Sequence, residues 1–253
     1  MVRFRRFLLL VVAVLLIPAV ASPASVTTVP DCINKSGCYQ ITGPITADDV
    51  VGVKRIVARL RREETLVPMF SLDSPGGDVD AAIQIGTLLR EVRAAVVVSL
   101  HSQCNSACVF ILAGGTQRLV AGTVGIHRPY SPSTTISSYS EAQKHYRDLE
   151  NKSRDYLLAM NLPSQLFDAM VRVSPEQLKV LGPKELHDYG LDKTDPVEQE
   201  IQDSMAAGRY GISKQDYLAR KLRVDTECRG QYFERADFQG YALCLNEVMK
   251  NLR

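Results

Sequence analysis

Tryptophan is absent from the 253-residue chain, and histidine occurs four times. No CxxC pair accompanies those histidines, so the usual spacing of a structural zinc site is missing. No metal and no cofactor are expected. No low-complexity tract and no internal repeat is visible. A net positive charge is also lacking once the first residues are set aside. Residues 1–21 carry Arg3, Arg5 and Arg6 and no acid; without them 27 basic residues face 28 acidic ones, and the net charge falls from +2 to −1. Nothing then suggests nucleic acid or an anionic membrane as a partner.

Long hydrophobic runs are few, and the clearest is Phe7–Ile17. It is too short to span a bilayer comfortably. A basic start precedes it, Pro18 breaks it, and Ala19-Val20-Ala21 fits a small-residue cleavage site. Residues 1–21 therefore read as a secretory signal peptide cleaved near Ala21, with an uncleaved anchor as the alternative. A periplasmic or secreted location is expected.

All six cysteines follow that segment, and an oxidising compartment makes disulfides plausible. Six cysteines allow fifteen connectivities. Pairing near neighbours joins Cys32 to Cys38, Cys104 to Cys108 and Cys228 to Cys244. Cys104 and Cys108 remain open between a bridge and two buried thiols.

Periodicity outlines an α/β core. Residues 22–45 read as an extended lead-in. Ala47–Arg62 has helical spacing, Leu66–Leu72 reads as a buried strand, and Asp78 caps a helix running to about Arg93. Ala95–Leu100 is a β-branched strand. Ser106–Ala113 reads as an apolar helix closed by Gly114-Gly115. Arg118–Val120 and Val124–His127 read as short strands. A polar loop over Tyr130–Tyr139, a charged helix over Glu141–Met160 and a helix over Glu176–Tyr189 follow. From Asp195 onward the chain reads as polar and helical. Three parts result: residues 1–21, a domain over 22–194, and a helical extension over 195–253.

Chemistry concentrates in three motifs: Ser74-Pro75-Gly76-Gly77-Asp78, then Cys104-Asn105-Ser106-Ala107-Cys108, then Gly125-Ile126-His127-Arg128-Pro129. Serine is a weak nucleophile and needs a base and oxyanion donors. A serine opening a helix gains free backbone N–H groups, and a glycine turn lets a second N–H approach. Ser106 is the candidate nucleophile, His127 the base, and Gly77 and Ala107 the oxyanion donors. The bland alternatives are a helix-capping serine, a strand-end histidine and a purely structural Gly-Gly turn.

In that order the motifs resemble the proteolytic subunit of the Clp protease and, in the same superfamily, signal peptide peptidase A. The likeness covers roughly residues 40–195 and resumes at Leu186-His187-Asp188-Tyr189-Gly190-Leu191. It implies a Clp/crotonase-like α/β fold, a spiral of repeated β-β-α units with a helical C-terminal extension. It also implies the roles given to Gly77, Ser106, Ala107 and His127, and association into homo-oligomers.

The pattern departs from the family at the third triad member. The catalytic Asp of that family falls near Leu178, and Glu176 would serve only with a two-residue shift. Asp168 and Asp188 are more distant candidates. A backbone carbonyl orienting His127 is another option. Lys144 is the lysine a Ser-Lys dyad would use, with a solvated lysine as the alternative. The expected function is an exported, ATP-independent serine peptidase acting on peptides or unfolded protein, with no ATPase partner. A catalytically inactive envelope binding or assembly protein of the same fold is the second reading. An acyl-coenzyme A enzyme is the third, and export argues against it.

Overall fold

The computed structural model describes residues 25–29, 37–62, 67–130 and 138–251. The expected signal peptide and Cys32 lie outside them. A five-stranded sheet runs in the order β1 (Ser25–Thr28), β2 (Cys38–Thr42), β3 (Met69–Asp73), β4 (Ala95–Val98), β6 (Gln117–Val120). Its pairs are parallel except for β1 with β2. A second sheet orders β5 (Gln103–Asn105), β7 (Thr123–Ile126) and β8 (Lys179–Val180). The parallel strands are apolar because both faces are covered, and Ile41, Phe70, Leu72, Val96 and Val98 are fully buried.

Helices α1 (Ala47–Leu60), α2 (Val79–Glu91) and α3 (Cys108–Gly114) connect the strands. The β-β-α unit repeats as β4-β5-α3 and as β6-β7-α4, where α4 is Tyr139–Ala159. Asp78 caps α2 as its sequence position suggests, accepting the Ala81 N–H at 2.7 Å. Helices α2 and α3 cross so closely that a Cβ on Gly114 would overlap the backbone of Gly86. Tyr156 of α4 locks onto that crossing by donating its hydroxyl to the Phe110 carbonyl at 2.7 Å.

Three features differ from expectation. Ser106 is not within α3, which starts at Cys108; it occupies a preceding turn. Residues 176–189 are not one helix. Glu176 lies in a turn, Lys179 and Val180 pair with Ile126 and Gly125 as β8, and α6 spans Pro183–Asp188. Pro183 lacks an N–H and so sits at the first helical position, with the Glu185 carboxylate accepting from Gly182 N–H at 3.1 Å. Finally, α5 (Ser164–Val171) and the three-residue β5 were not among the expected elements.

The chain after Thr194 is helical: α7 (Pro196–Tyr210), α8 (Lys214–Arg223), a π-helical turn and α9 (Phe238–Met249). Its first turn is anchored to the core. Asp195 caps α7 and binds Arg90 at 2.6 Å, while Glu198 holds Arg93 through two 2.8 Å bonds. Further out, Val224, Cys228, Cys244, Val248 and Met249 form a small separate cluster around the Cys228–Cys244 disulfide.

Candidate active site

Backbone pairing draws the three motifs together. Ser74 at the end of β3 bridges Cys104 of β5 in parallel, and Cys104 pairs in parallel with Val124 of β7. Within this row, Ser74 N–H donates to Gln103 O and Asn105 N–H donates to Ser74 O. Gly77, Ser106 and His127 follow two or three residues after that row. All three therefore emerge at the carboxyl ends of parallel strands, where α/β sheets place their ligand sites.

Ser106 has φ +55°, a left-handed conformation that costs a non-glycine residue on the order of 1 kcal/mol. The turn is held on both sides. Ser106 N–H donates to Gly125 O at 2.8 Å, and a Cys104–Cys108 disulfide spans the turn with its Cα atoms 5.2 Å apart. The sequence left that pair open; it is bridged. Gly76, at φ +107°, packs against the same turn: a Cβ there would lie 2.7 Å from Ser106 Cβ and 3.1 Å from Ala107 N. The backbone N–H groups of Gly77 and Ala107 have no acceptor among the described residues.

Gly77, Asp78, Val79, Asp80, Ser106 and His127 line one cleft of about 390 Å³, together with Pro75, Tyr130, His145 and Leu149. His127 is buried, its ring centroid 5.7 Å from that of Tyr130. Its Nδ1 lies 2.8 Å from the Arg128 carbonyl oxygen. A carbonyl only accepts, so Nδ1 carries the proton and Nε2 of the neutral ring keeps its lone pair. Among the described residues no hydrogen bond joins His127 to the Ser106 hydroxyl. Arg128 is itself fixed: its N–H donates to Val173 O and its guanidinium to Val171 O, at the end of α5.

No acid hydrogen-bonds His127 among the described residues. Glu176 is exposed and bonds to the Ser174 hydroxyl instead. That bond, with its own backbone N–H and the charge of Arg128, holds the carboxyl below its ordinary range. Asp168 and Asp188 line a different cavity beside Arg172 and Tyr189. Lys144 is exposed and does not line the cleft.

The structure places Leu178, and it adds one residue, His145, that the motifs do not reveal. Continuing the β7–β8 register one step beyond Ile126–Lys179 brings Leu178 opposite His127, and Leu178 also packs against Gly125. The register position opposite His127 thus holds an apolar side chain. His145, one position after Lys144, contributes a buried Nε2 with no hydrogen-bond partner among the described residues. Its sequence signal was the i, i+4 spacing with Leu149. The other cysteine pairs are Cys228–Cys244, joined as expected, and Cys38, which is disulfide-bonded. Among the described residues no cluster of His, Cys, Asp or Glu fits a metal ion, and no helix is long and apolar enough to cross a membrane.

A β-β-α spiral with a serine turn, a Gly-Gly turn and a strand-end histidine at the carboxyl ends of its strands defines a Clp-like α/β domain. The Clp protease family model matches residues 34–193, more than half of the chain, and the chain belongs to that family. Among solved structures it is similar to a serine-to-alanine mutant of the 1510-N membrane-bound stomatin-specific protease. That match has 17% identity and a TM-score of 0.46, and covers 60% of this chain and 75% of that one. No curated protein matches the chain.

Proposed function

We propose that the chain is an exported, ATP-independent serine peptidase that cuts peptides or unfolded protein with a Ser106–His127 dyad. The observation that carries this reading is the Ser74–Cys104–Val124 row, which delivers Gly77, Ser106 and His127 to one cleft. In the proposed reaction Ser106 Oγ attacks the scissile carbonyl carbon and its proton passes to His127 Nε2. The developing oxyanion is held by the free N–H groups of Gly77 and Ala107. His127 then returns the proton to the leaving amine, and water, deprotonated by the same nitrogen, hydrolyses the acyl-enzyme. The Arg128 carbonyl takes the orienting role of the triad acid: it fixes the tautomer and stabilises the imidazolium as a dipole rather than a charge. Disulfides at Cys104–Cys108 and Cys228–Cys244 are in keeping with an oxidising compartment. Self-association follows from the family likeness and is testable by light scattering.

The test is hydrolysis of fluorogenic peptides without ATP. Ser106→Ala and His127→Ala each lose about a thousandfold or more in kcat/KM if the dyad works. Activity that survives both substitutions contradicts the reading. Leu178 at the acid position favours a second reading, a non-catalytic binding protein of the same fold. Under it, peptides bind the cleft and are never cut.

A further inference from the structure

Helix α7 is built inside out. Its inward face carries Glu198 and Asp203, both buried, beside Ala206 and Ala207. Those carboxylates are held by Arg93 of the core and Lys221 of α8. Its outward side carries Val197, Ile201 and Met205, which are 56%, 37% and 60% exposed. A surface helix ordinarily does the reverse, turning its apolar stripe to the core and its charges to water. Buried carboxylates need partners, so the two ion pairs fix which face turns inward. The apolar stripe is then left facing solvent in the single chain.

The stripe is also patterned. Val197, Ile201, Ser204 and Gly208 stand at i, i+4, i+7 and i+11, the heptad spacing of a helix-on-helix seam, and all four are exposed. Large side chains occupy its first half and small ones its second. An added Cβ on Gly208 would meet nothing within 4 Å, so its own chain leaves that place open. A second α7 laid antiparallel, with a two-fold axis between Gln202 and Asp203, sets Val197 against Gly208 of the partner subunit and Ile201 against Ser204 of the partner subunit. Each layer then joins one large and one small side chain, the arrangement that lets facing helices interdigitate. The pattern complements itself, as a two-fold contact requires.

Position argues for the same occupant. The Clp family match stops at residue 193, so α7 lies outside it. Among the described residues, nine of the eighteen exposed large apolar side chains lie from Val197 onward, so exposed apolar surface concentrates in the extension. No residue of α7 lines the cleft of Ser106 and His127, so a substrate held there leaves the stripe uncovered. We propose that α7 is a self-association surface: two copies of this chain pack α7 on α7, antiparallel, across a two-fold axis. The proposal is independent of the peptidase reading. A fifteen-residue helix is about 22 Å long. One such pair buries less than the roughly 800 Å² per partner of a standard interface, so a micromolar dissociation constant is expected.

Sedimentation equilibrium of the full chain between about 1 and 100 μM, a range that brackets such a contact, reads the dimer directly. Ile201→Lys puts a charge into the seam and weakens the dimer about tenfold or more. Gly208→Leu weakens it too, by filling the place that Val197 occupies, although it enlarges the apolar stripe and favours the helix. Unspecific apolar adhesion predicts the opposite for Gly208→Leu, a tighter dimer. Leu100→Lys, at an apolar side chain exposed outside the extension, matches the parent. The chain carrying both Val197→Cys and Gly208→Cys forms a disulfide-linked dimer on oxidation, and neither single substitution does. Circular dichroism checks the fold of each variant. A parent that stays monomeric, association that survives Ile201→Lys, or weakening by Leu100→Lys to the same extent overturns the proposal. Tighter association in Gly208→Leu, or equal cross-linking in the single cysteine variants, overturns the antiparallel register and the proposal with it. Association through residues 34–193, which the family likeness implies, would survive every change in α7 and so is told apart.

Discussion

The Nδ1 N–H of His127 donates to the carbonyl oxygen of its own neighbour, Arg128, at 2.8 Å. In a Ser-His-Asp site that hydrogen goes to a carboxylate. Here the position opposite His127, one register step past the Ile126–Lys179 pair, holds Leu178. A dipole replaces a charge, so the imidazolium formed during catalysis is less stabilised. The proposed dyad is accordingly expected to be slower than one whose histidine faces a carboxylate.

Leu178→Asp should then be a gain-of-function substitution. Leu178 is half exposed, so an aspartate there faces little desolvation. An acid at this place raises kcat about tenfold or more, given that loss of a triad aspartate costs up to ~10⁴ elsewhere. Steady-state kinetics on a fluorogenic peptide read this directly. No gain, with the fold intact by circular dichroism, would mean that the Arg128 carbonyl already suffices or that position 178 does not reach the ring.

Reduction should weaken the nucleophile turn. The Cys104–Cys108 bridge closes a five-residue loop around a serine held at positive φ. Chain-entropy arguments give such a short loop about 2 kcal/mol. The Cys104→Ala/Cys108→Ala double variant is expected to unfold several degrees earlier and to label more slowly with a fluorophosphonate, because Ser106 loses its fixed orientation. An unchanged labelling rate would assign the bridge to stability alone.

Gly76→Ala should be more damaging than most surface glycine changes. The position has φ +107°, and the added Cβ would press on Ser106 Cβ at 2.7 Å. Both the turn and the serine must shift, so activity is expected to fall by about a hundredfold, in line with the sensitivity of reacting geometry to small displacements. Gly208→Ala, where an added Cβ meets nothing within 4 Å, is the control.

The junction between core and extension carries a pH signature. Burial alone would raise the Asp195 carboxyl, but the hydrogen bonds from Arg90, Asn161 and the Glu198 backbone prevail and hold it below its ordinary 3.8. Its folded value is depressed, so its contribution is complete above about pH 4 and is lost as pH falls through the folded value. Buried Arg118, 3.9 Å from Asp195, is pulled down by desolvation to about 10 despite that carboxylate. Removing the acid strands this cation, so Asp195→Asn should cost about 3 kcal/mol at pH 7. Urea titrations from pH 3 to 7 should show the wild-type stability falling at the acid end and a flatter profile in the variant. Parallel profiles would contradict the assignment.

The sequence was informative where local chemistry decided the structure. Asp78 capping α2, the β-branched run of β4 and the order of the three motifs were all legible. Elements decided by tertiary pairing were not. β5 has only Gln103, Cys104 and Asn105, and becomes a strand because Ser74 and Val124 flank it. Ser174-Pro175-Glu176 has the look of a helix start, yet pairing with β7 draws Lys179 and Val180 into a strand. α5 begins after Pro163 without a side-chain cap and so carries little start signal. At the site, Ser106, His127 and Gly77 share a cleft as their motifs suggested, whereas Glu176 does not reach His127. A backbone carbonyl is an option in the sequence but Arg128 is not singled out, since main-chain acceptors leave no mark on side-chain identity. His145 was hidden beside Lys144, because which face of a charged helix turns inward depends on anchors such as Tyr156 far along the chain.

The most direct measurement is mass-spectrometric mapping of a fluorophosphonate adduct on the protein. A functioning dyad predicts one adduct, on Ser106, absent from Ser106→Ala and strongly slowed in His127→Ala. No adduct on the wild type, or an adduct that persists in Ser106→Ala, would contradict the claim that Ser106 is the nucleophile.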